Sequence, residues 1–149
     1  MQGLSIANLR KDRDGLDIPP DWAGGISGLP TIAVSNEIIE NTYREYHDRF
    51  AIAGIGGVFT PEHAYAKIRK GSSLVMFITS LMYRGPQNIT VLKRGLASLL
   101  RRDGFNSIEE AVGVDVDLNT YTQTRNAPFF SKRGAFLYVV DIMRGGMRV

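Results

Sequence analysis

Three short stretches of this chain carry residue types suited to binding a phosphate: Gly25–Gly28 with Ser27 inside it, Gly56-Gly57, and Thr79-Ser80. Glycine-rich turns expose backbone N–H groups to an anion, and hydroxyls add further donors. A side chain at the glycines would hold the backbone away from the phosphate oxygens. The same glycines also suit tight turns with no ligand, so their meaning depends on where the fold places them. Other chemistry is sparse. The absence of cysteine removes thiolate nucleophiles and zinc–cysteine sites. His47 and His63 fall on or near helix surfaces, where a solvated side chain is the ordinary case. No carboxylate pair has acid–base spacing and no metal-ligand cluster appears, so no catalytic residue and no metal site is assigned. Gly54-Ile55-Gly56 lacks the third glycine of a dinucleotide fingerprint, and Val75 and Met76 stand where its acid belongs, about twenty residues on. The phosphate of a mononucleotide or sugar fits better.

The elements that must position these stretches follow from periodicity. Phe50–Ile55 is a short apolar run, the pattern of a strand buried on both faces. Thr60-Pro61-Glu62 then supplies an N-cap, a proline at the first helical position and an acid in the first turn. That helix carries Ala64 and Ile68 on one face and stops at Gly71. A second apolar run, Leu74–Ile78, ends at Thr79-Ser80. Two strands joined by one helix lie parallel in an α/β sheet. Upstream, Gly3–Ala7 predicts another strand and Lys11–Trp22 a polar loop. Ser35 predicts an N-cap for a helix over Asn36–His47, with Ile38, Ile39, Tyr43 and Tyr46 on its apolar face. All three phosphate stretches thus fall on the carboxyl edge of one parallel sheet, where ligands bind, and this common placement favours phosphate over plain turns.

Downstream, Leu81–Gly85 is a short connection and Pro86 opens a long helix striped by Ile89, Leu92, Leu96, Leu99 and Leu100. Arg101-Arg102 fall in its last turn and Gly104 just beyond it. Ser107–Glu110 spells a capping box for a further short helix. Past Gly113 the character changes: Asp115–Pro128 is polar, Ala135–Ile142 predicts one more strand, and Met143–Val149 is basic and glycine-rich.

The 149 residues suit one domain, and 44% hydrophobic with 22% charged residues is ordinary for a soluble globular chain. The net charge of +3 is spread in basic pairs that cap helices rather than forming a nucleic-acid face, so no nucleic-acid partner is assigned. No apolar run reaches membrane-span length and the first twenty residues lack a signal-peptide core.

Several motifs together resemble one family. Ala23-Gly24-Gly25-Ile26-Ser27-Gly28-Leu29-Pro30, Ile55-Gly56-Gly57-Val58, Ala66-Lys67-Ile68-Arg69-Lys70-Gly71-Ser72-Ser73-Leu74-Val75 and Tyr83-Arg84-Gly85-Pro86 are similar, in order and spacing, to the T-G-G-L-S-G-x-P, I-G-V-G-G, K-I-x-A-G-A-S-L-V-Q and G-P motifs of the quinone-linked dihydroorotate dehydrogenases. The resemblance runs from about Gly3 to Gly113. It divides the chain into a family-like part, 1–113, and an unmatched tail, 114–149. It implies an α/β fold: a partial (β/α)8 barrel, about the last three β/α units, with a divergent tail. It also implies FMN as cofactor, dihydroorotate and orotate as substrate and product, quinone as electron acceptor, and a place in pyrimidine synthesis at the mitochondrial inner membrane.

Carried over by position, Ser27, Gly28, Gly56, Gly57 and Thr79 match residues around the flavin, chiefly its phosphate. Ile78 stands where the family has a tyrosine that contacts FMN through its backbone, and Asn8 matches an asparagine that binds orotate. The family's T-N-T is here Ala7-Asn8-Leu9, without either threonine hydroxyl. If Gly3–Ala7 is the sixth barrel strand, the serine base, the flavin lysine, two further substrate asparagines and the quinone-site helices lie outside this sequence. The resemblance then implies a C-terminal portion, inactive alone, that reaches the membrane only through parts it lacks and presents an open sheet edge for self-association. Two alternatives stay open: a non-catalytic phosphate- or flavin-binding module, and another FMN barrel such as a dihydrouridine synthase, against which the lack of a basic RNA face speaks.

Overall fold

A computed structural model describes residues 2–19 and 21–118 of the chain. Three strands, β1 (Gln2–Ile6), β2 (Phe50–Ile55) and β3 (Leu74–Met76), form one parallel sheet in the order β1-β2-β3. Gln2 lies opposite Phe50 and Ile6 opposite Gly54, while Ala53 faces Leu74 and Ile55 faces Met76. A single turn of 3-10 helix, Leu29–Thr31, leads into α1 (Ile32–Tyr46). After β2 come α2 (Pro61–Arg69), then β3, α3 (Thr79–Arg84), α4 (Gln87–Arg102) and α5 (Ile108–Ala111). The central β2–α2–β3 unit is the one that local chemistry predicts. Thr60 caps α2, its hydroxyl accepting from the His63 N–H at 3.3 Å, and Pro61 follows in the first turn.

The helices cover one face of the sheet. Ile6 and Ile52 point there and close on Ile39 of α1, all three essentially out of solvent. Val58, Ala64 and Leu92 fill the neighbouring space with Val75 and Phe77. A further layer, Tyr65, Ile68, Leu100 and Ala111, joins α2 to α4 and α5. The opposite face carries Gly3 and Ser5 on β1, Ala51, Ala53 and Ile55 on β2, and on β3 Leu74 and Met76, which remain about half exposed. Successive strand residues alternate between faces, so Ser5 lies on that open side, its hydroxyl directed at the Met76 sulfur.

The structure corrects three local expectations. α1 begins at Ile32, so Ser35 is a buried residue within the helix rather than its N-cap; the preceding 3-10 turn starts the helix earlier than Ser35's capping chemistry suggests. Leu81–Gly85 is largely helical, as most of α3, and β3 is shorter than the apolar run 74–78 because Thr79 turns the chain into that helix. Glu110 does not close a box onto Ser107 but accepts from the Asn106 N–H at 2.9 Å. Of the sequence beyond Gly113, residues 119–149, including the strand predicted over Ala135–Ile142, lie outside the described residues.

What is described of that segment docks on the body. The Gly113 N–H donates to Ile68 O and the Asp115 N–H to Arg69 O, Val116 is buried, and Arg69 pairs with both Asp115 and Asp103. The bond from Arg69 holds Asp115 below the usual carboxylate range. Bonds from Arg102 and Tyr65 hold Asp103 at about 2. Groups depressed in the folded state stabilise it above their unfolded value, about 4, and lose that contribution as the pH falls through the folded one. Urea midpoints are therefore expected to drop between about pH 4 and 2, with a shallower drop in Asp115→Asn. An identical acid slope in the variant would remove Asp115 from this account.

Candidate functional site

The three phosphate-type stretches meet in one crevice. It is lined by Asn8, Ser27, Gly56, Gly57, Ile78 and Thr79, with Ile55, Val58, Phe59, Phe77 and Ser80 completing the wall.

Backbone pairing explains how distant residues converge. The Ala7 N–H donates to Ile55 O at 3.2 Å, which carries the β1–β2 pairing past the end of the strand and sets Asn8 beside Gly56. Arg10 and Ile26 then exchange two backbone bonds, 2.9 and 2.7 Å. This bridge closes the long polar loop at its neck and returns the chain with Ser27 on the crevice. Arg10 braces the loop by donating to the carbonyls of Asp12 and Asp14. Across the crevice, Ser27 Oγ and Thr79 Oγ1 lie 2.7 Å apart, sharing a proton bond between the first and third stretches.

Gly28 is buried and sits against Thr79, while its carbonyl accepts from Thr31 Oγ1 at 2.7 Å. Gly56 and Gly57 both have positive φ, +105° and +75°. A Cβ on Gly56 would meet Ala7 O at 2.5 Å, and one on Gly57 would meet Ile32 Cβ at 2.6 Å. Glycine is thus required here first by the close approach of β1 and α1, a reason the sequence alone does not reveal. Both glycines are buried, and neither N–H donates to a backbone carbonyl among the described residues.

Asn8 is exposed, and its amide makes no side-chain bond among the described residues, which leaves its donors and acceptor open to a ligand. Ile78 is half exposed. Among the described residues no lysine or arginine lines the crevice; at its wall Arg84 donates to Phe59 O at 2.8 Å and stacks over the Phe59 ring. An anion would be held by amides and hydroxyls, as at other backbone nests.

The model of the family described as dihydroorotate dehydrogenase matches residues 7–100, a span that contains every crevice residue. The chain belongs to the dihydroorotate dehydrogenase family. It is 41% identical over 116 residues to the dihydroorotate dehydrogenase (quinone) of Deinococcus deserti, covering 77% of this chain and 32% of that one. To the Thermobifida fusca enzyme of the same name it is 39% identical over 132 residues, covering 85% and 35%. The fold is similar to crystal structures of the Eimeria tenella dihydroorotate dehydrogenase: ligand-free at a TM-score of 0.72 and 32% identity, covering 77% of this chain and 32% of that one, and in complex with ferulenol at 0.71 and 33%, covering 76% and 31%. The chain spans about a third of the length of the curated relatives it matches.

The family motif that ends in Leu74-Val75 also contains a buried cation, Lys67. Lys67 is wholly buried, with its ammonium on Ser35 Oγ at 2.5 Å and Asn36 Oδ1 at 2.9 Å. Three residues from Ala64, Lys67 flanks the Ala64–Ile68 face of α2, and its burial comes from the residues of α1 that meet it there.

Proposed function

We propose that the chain is the phosphate-holding arc, about the last three β/α units, of an FMN-dependent (β/α)8 barrel of the quinone-linked dihydroorotate dehydrogenase kind. The observation that carries this is the convergence of Ser27, Gly28, Gly56, Gly57 and Thr79 at one sheet edge in a chain of that family. The donor set fits the phosphate of FMN: Gly56 and Gly57 N–H groups that donate to no backbone carbonyl among the described residues, and hydroxyls at Ser27 and Thr79. When bound, FMN would supply the hydride-accepting chemistry that turns dihydroorotate into orotate, with quinone as the final electron acceptor.

This chain's residues have supporting roles. Ser27 and Thr79 fix each other and present their remaining hydrogen-bonding capacity to the anion. Ile78 offers its backbone at the crevice lip. Asn8 orients the pyrimidine through its carboxamide, with Ala7 and Leu9 adding no hydroxyl on either side. No residue here matches the family's base, so the chain alone is proposed to bind rather than turn over. Action in pyrimidine synthesis and residence at the mitochondrial inner membrane belong to the same proposal; among the described residues no helix is long and apolar enough to cross a membrane.

Titration of the 149-residue chain with FMN, followed by flavin fluorescence, tests this, with riboflavin as the comparator that lacks the phosphate. Saturable FMN binding at least about tenfold tighter than riboflavin is expected. Equal affinities, or no FMN binding, would overturn the cradle. A second reading, a non-catalytic phosphate- or flavin-binding module, is favoured by the fact that this chain builds the crevice wall itself. Dihydroorotate-dependent bleaching of the flavin by any longer polypeptide carrying this sequence separates the two.

A further inference from the structure

Lys67 lies outside the crevice yet is tied to it. Burial alone pulls its pKa down to about 8, and its partners Ser35 and Asn36 are both neutral. A buried ammonium without a carboxylate is costly, and methionine would fill similar space without that cost. Packing therefore does not account for a lysine here.

Its bond to Ser35 does. Ser35 Oγ lies 3.1 Å from Ile32 O and 3.3 Å from Gly56 O. Because the oxygen accepts from Lys67, the single hydroxyl proton is committed to the carbonyl side. A Gly56 carbonyl held toward α1 turns the Gly57 N–H the opposite way, since the two are anti across one planar peptide. One helical turn earlier, Thr31 treats Gly28 similarly, its hydroxyl and its N–H reaching Gly28 O at 2.7 and 3.0 Å. Two of the three phosphate stretches thus hang from the start of α1, and the Gly56 branch has a cation behind it.

We propose that Lys67 is a positioning residue for anion binding: through Ser35 it fixes the Gly56–Gly57 peptide so that the Gly57 N–H meets the phosphate. The inference rests on the flavin-phosphate reading above and adds the group that sets the turn's orientation.

The test is FMN and riboflavin titration of the full chain carrying Lys67→Met, Ser35→Ala, or both. Each single change is expected to raise the FMN Kd about tenfold and to leave riboflavin binding unchanged. The double variant is expected to be no worse than either single, because both act through one bond. Unchanged FMN affinity overturns the proposal, as does an equal loss for both flavins, the mark of a merely structural role. If the wild-type chain binds neither flavin, the cradle reading fails on its own account and the backbone amide resonances of Gly56 and Gly57 decide. Their displacement in Lys67→Met, with those of β2 unmoved, upholds the positioning role; undisturbed glycine resonances overturn it.

Discussion

Thr79→Asp is expected to abolish FMN binding while leaving the fold intact. Thr79 is the first residue of α3 and its hydroxyl lies 2.7 Å from Ser27 across the crevice. An aspartate at the start of a helix is favoured by the helix dipole, so folding has no reason to suffer. Its carboxylate would however share the crevice with a phosphate. Like charges about 4 Å apart repel by about 4 kcal/mol per pair at the effective dielectric of a partly buried site, enough for a loss of a hundredfold or more in affinity. Fluorescence titration beside a circular-dichroism melt measures both halves of the statement. A Thr79→Asp chain that melts like wild type and still binds FMN normally would move the phosphate elsewhere. Thr79→Ser keeps the hydroxyl and is expected to bind. Gly57→Asp is a poorer probe, because the close approach of Ile32 makes any side chain there a structural lesion as well as an electrostatic one.

The largest stability effect is expected at Ile39. Its side chain is 0% exposed and closes on Ile6 and Ile52, the contact that fastens α1 to the first two strands. Ile39→Ala removes buried methylenes and leaves a cavity between a helix and a sheet that cannot easily collapse, at a cost of about 2–5 kcal/mol. Against a typical total of roughly 5–15 kcal/mol, that is a large fraction. Urea unfolding followed by circular dichroism should show a lower midpoint with an unchanged slope. A loss under about 1 kcal/mol would mean that α1 is held chiefly by something other than this cluster. Because Thr31 is the N-cap of that helix and Ser35 lies within it, flavin affinity is expected to weaken along with stability.

Local chemistry made much of the fold legible. The six apolar residues of β2, the Thr60-Pro61 start of α2 and the Leu92–Leu100 part of the α4 stripe depend on near neighbours in sequence, and the structure has each of them; Ile89, included in the expected stripe, is exposed instead. The same holds for the three phosphate stretches, because strand ends in a parallel sheet fall on one edge whatever the side chains do. Ser35 misled because serine caps and serine within a helix share one chemistry, hydrogen bonding to nearby backbone, and only the chain path before it distinguishes them. α3 escaped notice because six residues are too few to show helical periodicity.

What the amino-acid sequence by itself determined is the β–loop–α–β–loop–α–β order and the Thr60-Pro61 start of α2, both consequences of short-range sterics and hydrogen bonding. Only the tertiary structure decided why Gly56 and Gly57 must be glycine, that Asp115 returns to Arg69, and that Lys67 is buried beneath a turn rather than solvated. Each of those depends on contacts between segments far apart in sequence, such as the 32 residues separating Lys67 from Ser35, and the distances between such segments exist only once the sheet and its helices have packed.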